Sequence, residues 1–138
     1  MNLRARRCLS APVSAAAAAR VVWAAVALAA AAPAQAGGDV QRGRAAYEAR
    51  CGGCHSVQAD RAGPRHAGLF GRRAGSVPGF DYSPALKASG IVWSAATIER
   101  WLRDPEALVP GQAMGVGVAD AAVRADIVAY LATLGTVR

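Results

Sequence analysis

Apolar residues between positions 37 and 138 recur at helical spacing in several short stretches, and nowhere do they alternate as a half-buried strand would. Asp39 is placed to cap a helix running to about residue 49, with Val40, Gly43 and Tyr47 along one face. Ser83-Pro84 starts a short helix that ends at Gly90, with serine as N-cap and proline at the first helical position. Ser94 caps a third helix over 95–103, which turns Ile98, Trp101 and Leu102 inward. Pro105 should then stop it. Asp120 opens the longest helix, with Val123, Ile127, Tyr130, Leu131 and Leu134 at helical spacing and Gly135 closing it.

Between these elements lie two irregular segments. Residues 63–80 hold five glycines, at 63, 68, 71, 75 and 79, and so predict a folded loop wrapped around something. Residues 105–117 form a second loop carrying Pro110-Gly111 and Met114. With no strand pattern and no internal repeat, the predicted fold is all-α, with four to five short helices and glycine-rich loops.

The first 36 residues read differently. Arg4, Arg6, Arg7 and Arg20 form a basic stretch without an acid, residues 21–32 are apolar, and Ala34-Gln35-Ala36 offers a small-residue cleavage site. The apolar run is shorter than the roughly 20 residues a membrane span needs. A cleavable secretory signal over 1–36 is the expectation, with an uncleaved anchor as the alternative. Cys8 would leave with the signal. What remains, 37–138, is the length of one small domain. Charge changes meaning with this division. The whole chain carries +7, but losing four arginines leaves twelve basic against nine acidic residues, a net +3. No basic run with interleaved aromatics follows the signal, so nucleic acid is not an expected partner.

The chemistry is concentrated in Cys51-Gly52-Gly53-Cys54-His55. Two cysteines three apart with histidine directly after the second form the attachment signature of c-type haem. On one helical turn, two thiols can reach the two vinyl groups on a porphyrin edge, and the following imidazole can face the iron. Gly52 and Gly53 add no bulk where the chain crosses that edge. A redox dithiol lacks the surrounding βαβ pattern. A zinc site would need four ligands, and only His55 and His66 remain as soft donors. A disulfide three residues wide would close too small a loop to stabilise much. Export suits covalent haem ligation.

His55 fills one axial position, and the second decides between electron transfer and chemistry. Met114 is the single methionine after the signal, in a loop flanked by Gly111, Gly115 and Gly117, which suits a thioether ligand better than ordinary core. His66 is the rival donor. It follows His55 by eleven residues and is expected to be a loop or rim histidine.

Taken in order, these stretches resemble class I cytochrome c of the mitochondrial-like bacterial kind, over nearly all of 37–138. The landmarks are Gly43 and Tyr47 before the haem motif, Gly63-Pro64, Gly68-Leu69-Phe70-Gly71-Arg72, and Pro78-Gly79-Phe80-Asp81-Tyr82-Ser83. Trp93, Pro105, Pro110-Gly111, Met114 and Ala129-Tyr130-Leu131 follow. The resemblance implies the small cytochrome c fold around one haem c bound through Cys51 and Cys54, with His55 and Met114 on the iron. It further implies that Pro64 accepts a hydrogen bond from Nδ1–H of His55, that Arg72, Tyr82 and Trp93 serve the haem propionates, and that Gly43 and Tyr47 cross Tyr130 and Leu131.

This chain also departs from the family pattern. His66 stands where leucine is usual, Trp101 stands where a tyrosine commonly bonds the methionine sulfur, and no aromatic follows Met114. Lys87 is the sole lysine, so the docking lysine ring is missing and several arginines replace part of it. The implied function is a soluble, monomeric periplasmic electron carrier, without enzymatic activity or stable membrane insertion. It would dock redox partners transiently at the haem edge through a patch that includes Ala113, Val116 and Val118. The alternatives are a haem-based small-ligand sensor and a dedicated cytochrome subunit of a periplasmic oxidoreductase complex.

Overall fold

Helix α1, Val40–Arg50, begins where Asp39 accepts a hydrogen bond from the Arg42 N–H at 2.7 Å. Its glycine is explained by its neighbour. A Cβ on Gly43 would lie 1.9 Å from the carbonyl oxygen of Asp126, so glycine is what lets α1 approach the last helix backbone to backbone. Tyr47, one turn on, is buried against Tyr130 with ring centroids 5.2 Å apart. Val40, expected on the same buried face, is exposed. The computed structural model describes residues 37–135. The expected export segment with Cys8, and residues 136–138, lie outside them.

Four more helices follow: α2, Pro84–Ala88; α3, Ala95–Arg103; α4, Pro105–Leu108; and α5, Ala121–Ala132. The cap of α3 is reciprocal, because Thr97 N–H donates to Ser94 Oγ at 3.2 Å while Ser94 N–H donates to Thr97 Oγ1 at 2.7 Å. The expected inward trio of α3, Ile98, Trp101 and Leu102, is buried. Helix α4 corrects the sequence reading. Pro105 does end α3, but it also sits in the first turn of a new helix, whose N-cap Asp104 accepts from the Ala107 N–H at 3.0 Å.

Helix α5 is capped by Asp120 and buries Ile127 and Leu131 against α1 and α3. It also buries two charged residues that the apolar pattern did not flag. Asp126 accepts from the Asp39 N–H at 2.6 Å and from Arg42 Nε at 2.8 Å, tying α5 to the start of α1. The Arg42 hydrogen bond, and then the Asp39 N–H, hold its carboxyl below the usual carboxylate range. Arg124 donates through Nε to Glu99 at 2.9 Å and through Nη1 to the carbonyls of Val118 and Ala119, both at 2.8 Å. One guanidinium thus joins α3, α5 and the loop between α4 and α5. Among the described residues no strand forms; a single antiparallel bridge pairs Arg73 with Val92. The fold is all-α, as the periodicity predicts.

Candidate cofactor site

The CGGCH segment continues the end of α1 as a tight turn. Cys51 caps the helix, its N–H donating to the Tyr47 carbonyl at 2.8 Å. The N–H groups of Cys54 and His55 then both donate to the Cys51 carbonyl, at 3.0 and 2.8 Å. This turn brings two thiols and an imidazole together over one turn of chain. A Cβ at Gly52 would lie 2.6 Å from the Glu48 carbonyl oxygen, so this glycine answers to the packing of the turn. Gly53 faces open space. No disulfide joins the two cysteines; Cys54 is exposed and Cys51 partly buried. Burial pushes the Cys51 thiol up to about 11.

His55 is held on several sides. Its Nδ1 lies 2.8 Å from the carbonyl oxygen of Pro64. A carbonyl can only accept, so Nδ1 carries the proton and Nε2 keeps its lone pair for a metal. Gly63 makes room for the ring, since a Cβ there would stand 2.2 Å from His55 Cε1. The ring of His66 stacks on that of His55, with centroids 4.2 Å apart and planes 21° from parallel.

Met114 is positioned from two directions. Its sulfur accepts a hydrogen bond from Trp101 Nε1 at 3.1 Å, so the indole of α3 reaches where the resemblance places a tyrosine hydroxyl. Its backbone N–H donates to the side-chain carbonyl of Gln112. Gln112 in turn donates to Glu106 at 3.3 Å, and Glu106 accepts from the Gly111 N–H at 2.8 Å. The side chains of α4 and the loop beyond it thereby fasten the methionine.

All of these groups line one depression. A cavity of about 280 Å³ adjoins a smaller one of about 90 Å³, and Cys54, His55, His66, Ile98, Trp101 and Met114 line both. Together they reach the size at which cofactor pockets begin, about 300 Å³. Cys51 lines the smaller cavity; Pro64, Arg72, Tyr82 and Trp93 line the larger. Arg72 donates to the carbonyls of Ala67 and Arg65, both at 2.8 Å, and no carboxylate pairs with it among the described residues. Burial draws its pKa below the usual arginine value. Burial likewise raises that of Tyr82. Trp93 is buried, packed edge-on against Trp101 at 5.5 Å. A half-buried cation, a phenol and an indole in one corner suit an anionic group. Two thiols, an imidazole with a free Nε2, a thioether and apolar walls suit a covalently held haem.

Comparison with known proteins agrees with this geometry. The sequence model of the family described as cytochrome c matches residues 40–135. The chain belongs to the cytochrome c family. It is 41% identical to the cytochrome c of Euglena viridis over 100 residues, which cover 70% of this chain and 98% of that one. It is 40% identical to the cytochrome c2 of Rhodomicrobium vannielii over 119 residues, covering 83% and 89%. Among solved structures, cytochrome cH from Methylobacterium extorquens superposes with a TM-score of 0.66 at 39% identity, covering 70% of this chain and 99% of that one. Membership brings one covalently attached haem c, and Cys51 and Cys54 fit its attachment.

Within this cytochrome c chain, the structure brings every site residue expected from the sequence to one or other of the two adjoining cavities, and it corrects two surrounding expectations. His66 lies in a loop, as expected, but not at the rim. Its N–H donates to the Ser56 carbonyl at 3.0 Å and the Ala67 N–H donates to Val57 at 2.7 Å, which folds the segment back and carries the imidazole inward. Burial, then His55 and Arg72, push its pKa down to about 3, so the ring is neutral. Val118, expected on the docking patch, is buried, its N–H donating to Leu102 at 2.7 Å; Ala113 and Val116 are exposed. Gln112 in its loop and Glu106 in the one-turn helix α4 gave no signal, since neither segment is long enough to show a period.

Proposed function

We propose that the protein carries single electrons on one haem c, bound through Cys51 and Cys54, with His55 and Met114 as axial ligands. The observation that carries this reading is the Trp101 hydrogen bond to the Met114 sulfur. It orients one lone pair of the thioether and leaves the other for a metal, across a cavity that His55 also lines. When bound, haem supplies a reversible ferric–ferrous couple.

The residues around it keep that couple from becoming chemistry. Pro64 fixes the tautomer of His55, and Gln112 holds Met114 in place, so an imidazole and a thioether would be held ready for the two axial positions. Arg72, Tyr82 and Trp93 form the corner that receives the propionates, with Arg72 supplying the compensating charge. Among the described residues no pair serves as an acid–base couple for oxygen–oxygen cleavage.

In this reading residues 1–36 direct export and are removed, so that the mature periplasmic protein begins at Gly37 and works as a freely diffusing monomer. Exposed Ala113 and Val116 beside the Met114 loop offer partners a small apolar contact suited to brief docking. Voltammetry on the exported holoprotein tests the function. A single reversible one-electron wave, with a ferrous form inert to carbon monoxide, is expected. Rapid carbon monoxide binding would favour a small-ligand sensor, and a tightly co-purifying partner would favour a fixed subunit.

A further inference from the structure

His66 lines both cavities and is not part of the proposed ligand set. It is also the middle of a connected series of contacts that ends on His55. Tyr47 is fixed at the crossing of α1 and α5, packed on Tyr130. Its hydroxyl lies 3.1 Å from His66 Nδ1, and its ring meets the His66 ring edge-on with centroids 5.6 Å apart. His66 then lies flat on His55 at 4.2 Å. The helix crossing is therefore linked, through two side chains, to the plane of the axial imidazole.

The Pro64 carbonyl alone would not hold that plane, because a ring tied by one hydrogen bond can still tilt about it. Gly63 gives the ring space, and His66 covers it with a flat surface. We propose that His66, anchored by Tyr47, is a positioning residue that fixes the plane of the His55 ring and keeps a polar group beside it. The inference rests on His55 being the axial ligand. Ring orientation governs how the imidazole mixes with the metal d orbitals. A polar neighbour stabilises the more highly charged oxidised form, which holds the reduction potential down.

The test compares His66→Leu, His66→Phe and Tyr47→Phe with the parent as exported holoproteins, by electron paramagnetic resonance of the ferric form and by potentiometry. His66→Leu should shift the g values and raise the potential. His66→Phe, which keeps a flat ring, should retain the parent g values yet also raise the potential. Tyr47→Phe should move the g values in the direction of His66→Leu by less. If the leucine variant does not fold, the other two decide the matter. Parent g values and potential in every variant, or g values in His66→Phe that match His66→Leu, would overturn the inference while leaving His55 ligation standing. A parent spectrum without a histidine-ligated iron would overturn both.

Discussion

At the scale of single residues, Trp101 is the most informative departure from the family pattern. A hydrogen bond to the Met114 sulfur withdraws electron density from the thioether and so favours the reduced state of a metal it ligates. Such a bond is worth about 0.5–1 kcal/mol net, which corresponds to roughly 20–40 mV for one electron. Trp101→Phe should therefore lower the midpoint potential by roughly that amount while keeping the methionine bound. An unchanged or raised potential in that variant would show that the indole N–H does not act on the sulfur. Helical spacing foretold only that Trp101 faces inward with Ile98 and Leu102; its role as a donor to the sulfur was implied by the family resemblance. Neither the stack of His66 on His55 nor the hold of Gln112 on Met114 was visible, since both arise from loops whose path no periodicity encodes.

At the scale of elements, the crossing of α1 and α5 shows why helix propensity misleads at Gly43. Alanine is about 1 kcal/mol better than glycine inside an isolated helix. Here its methyl group would stand 1.9 Å from a backbone oxygen of α5 that cannot swing away. Overpacking of this kind costs about 1–3 kcal/mol, so Gly43→Ala should lower the urea midpoint of the holoprotein despite the better propensity. A more stable variant would mean that the two helices do not meet at this point. The caps of α2, α3 and α5 were legible as Ser83, Ser94 and Asp120. Helix α4 was not, because a four-residue helix shows no period and its Pro105 both stops α3 and opens the next turn behind Asp104.

At the scale of the whole molecule, two carboxylates hold the helices together, and both make stability depend on acid. Asp126 is held below its ordinary value of 3.8 chiefly by Arg42, and Glu99 below 4.5 chiefly by Arg124. Depressed folded-state values mean that the unfolded chain takes up protons first, so their contribution is complete above about pH 5 and is lost as pH falls through the folded values. Urea midpoints should decline from about pH 7 downward, where the unfolded chain begins to protonate a histidine that the fold keeps neutral at His66, and fall more steeply below about pH 4 as the two carboxylates protonate, with Asp126→Asn showing a shallower limb in that lower range. An identical acid limb in that variant would remove Asp126 from the explanation. These pairs escaped the sequence reading because charged residues on a helix default to solvent, and it takes the partner elements to bury them.

The central claim is that Met114 occupies the second axial position opposite His55. The visible spectrum of the ferric holoprotein, recorded beside that of Met114→Ala, tests it most directly. The account predicts a low-spin parent with the weak long-wavelength methionine–iron band, and a Met114→Ala variant that loses the band and binds carbon monoxide once reduced. A parent lacking the band, or a variant retaining it, would contradict the account.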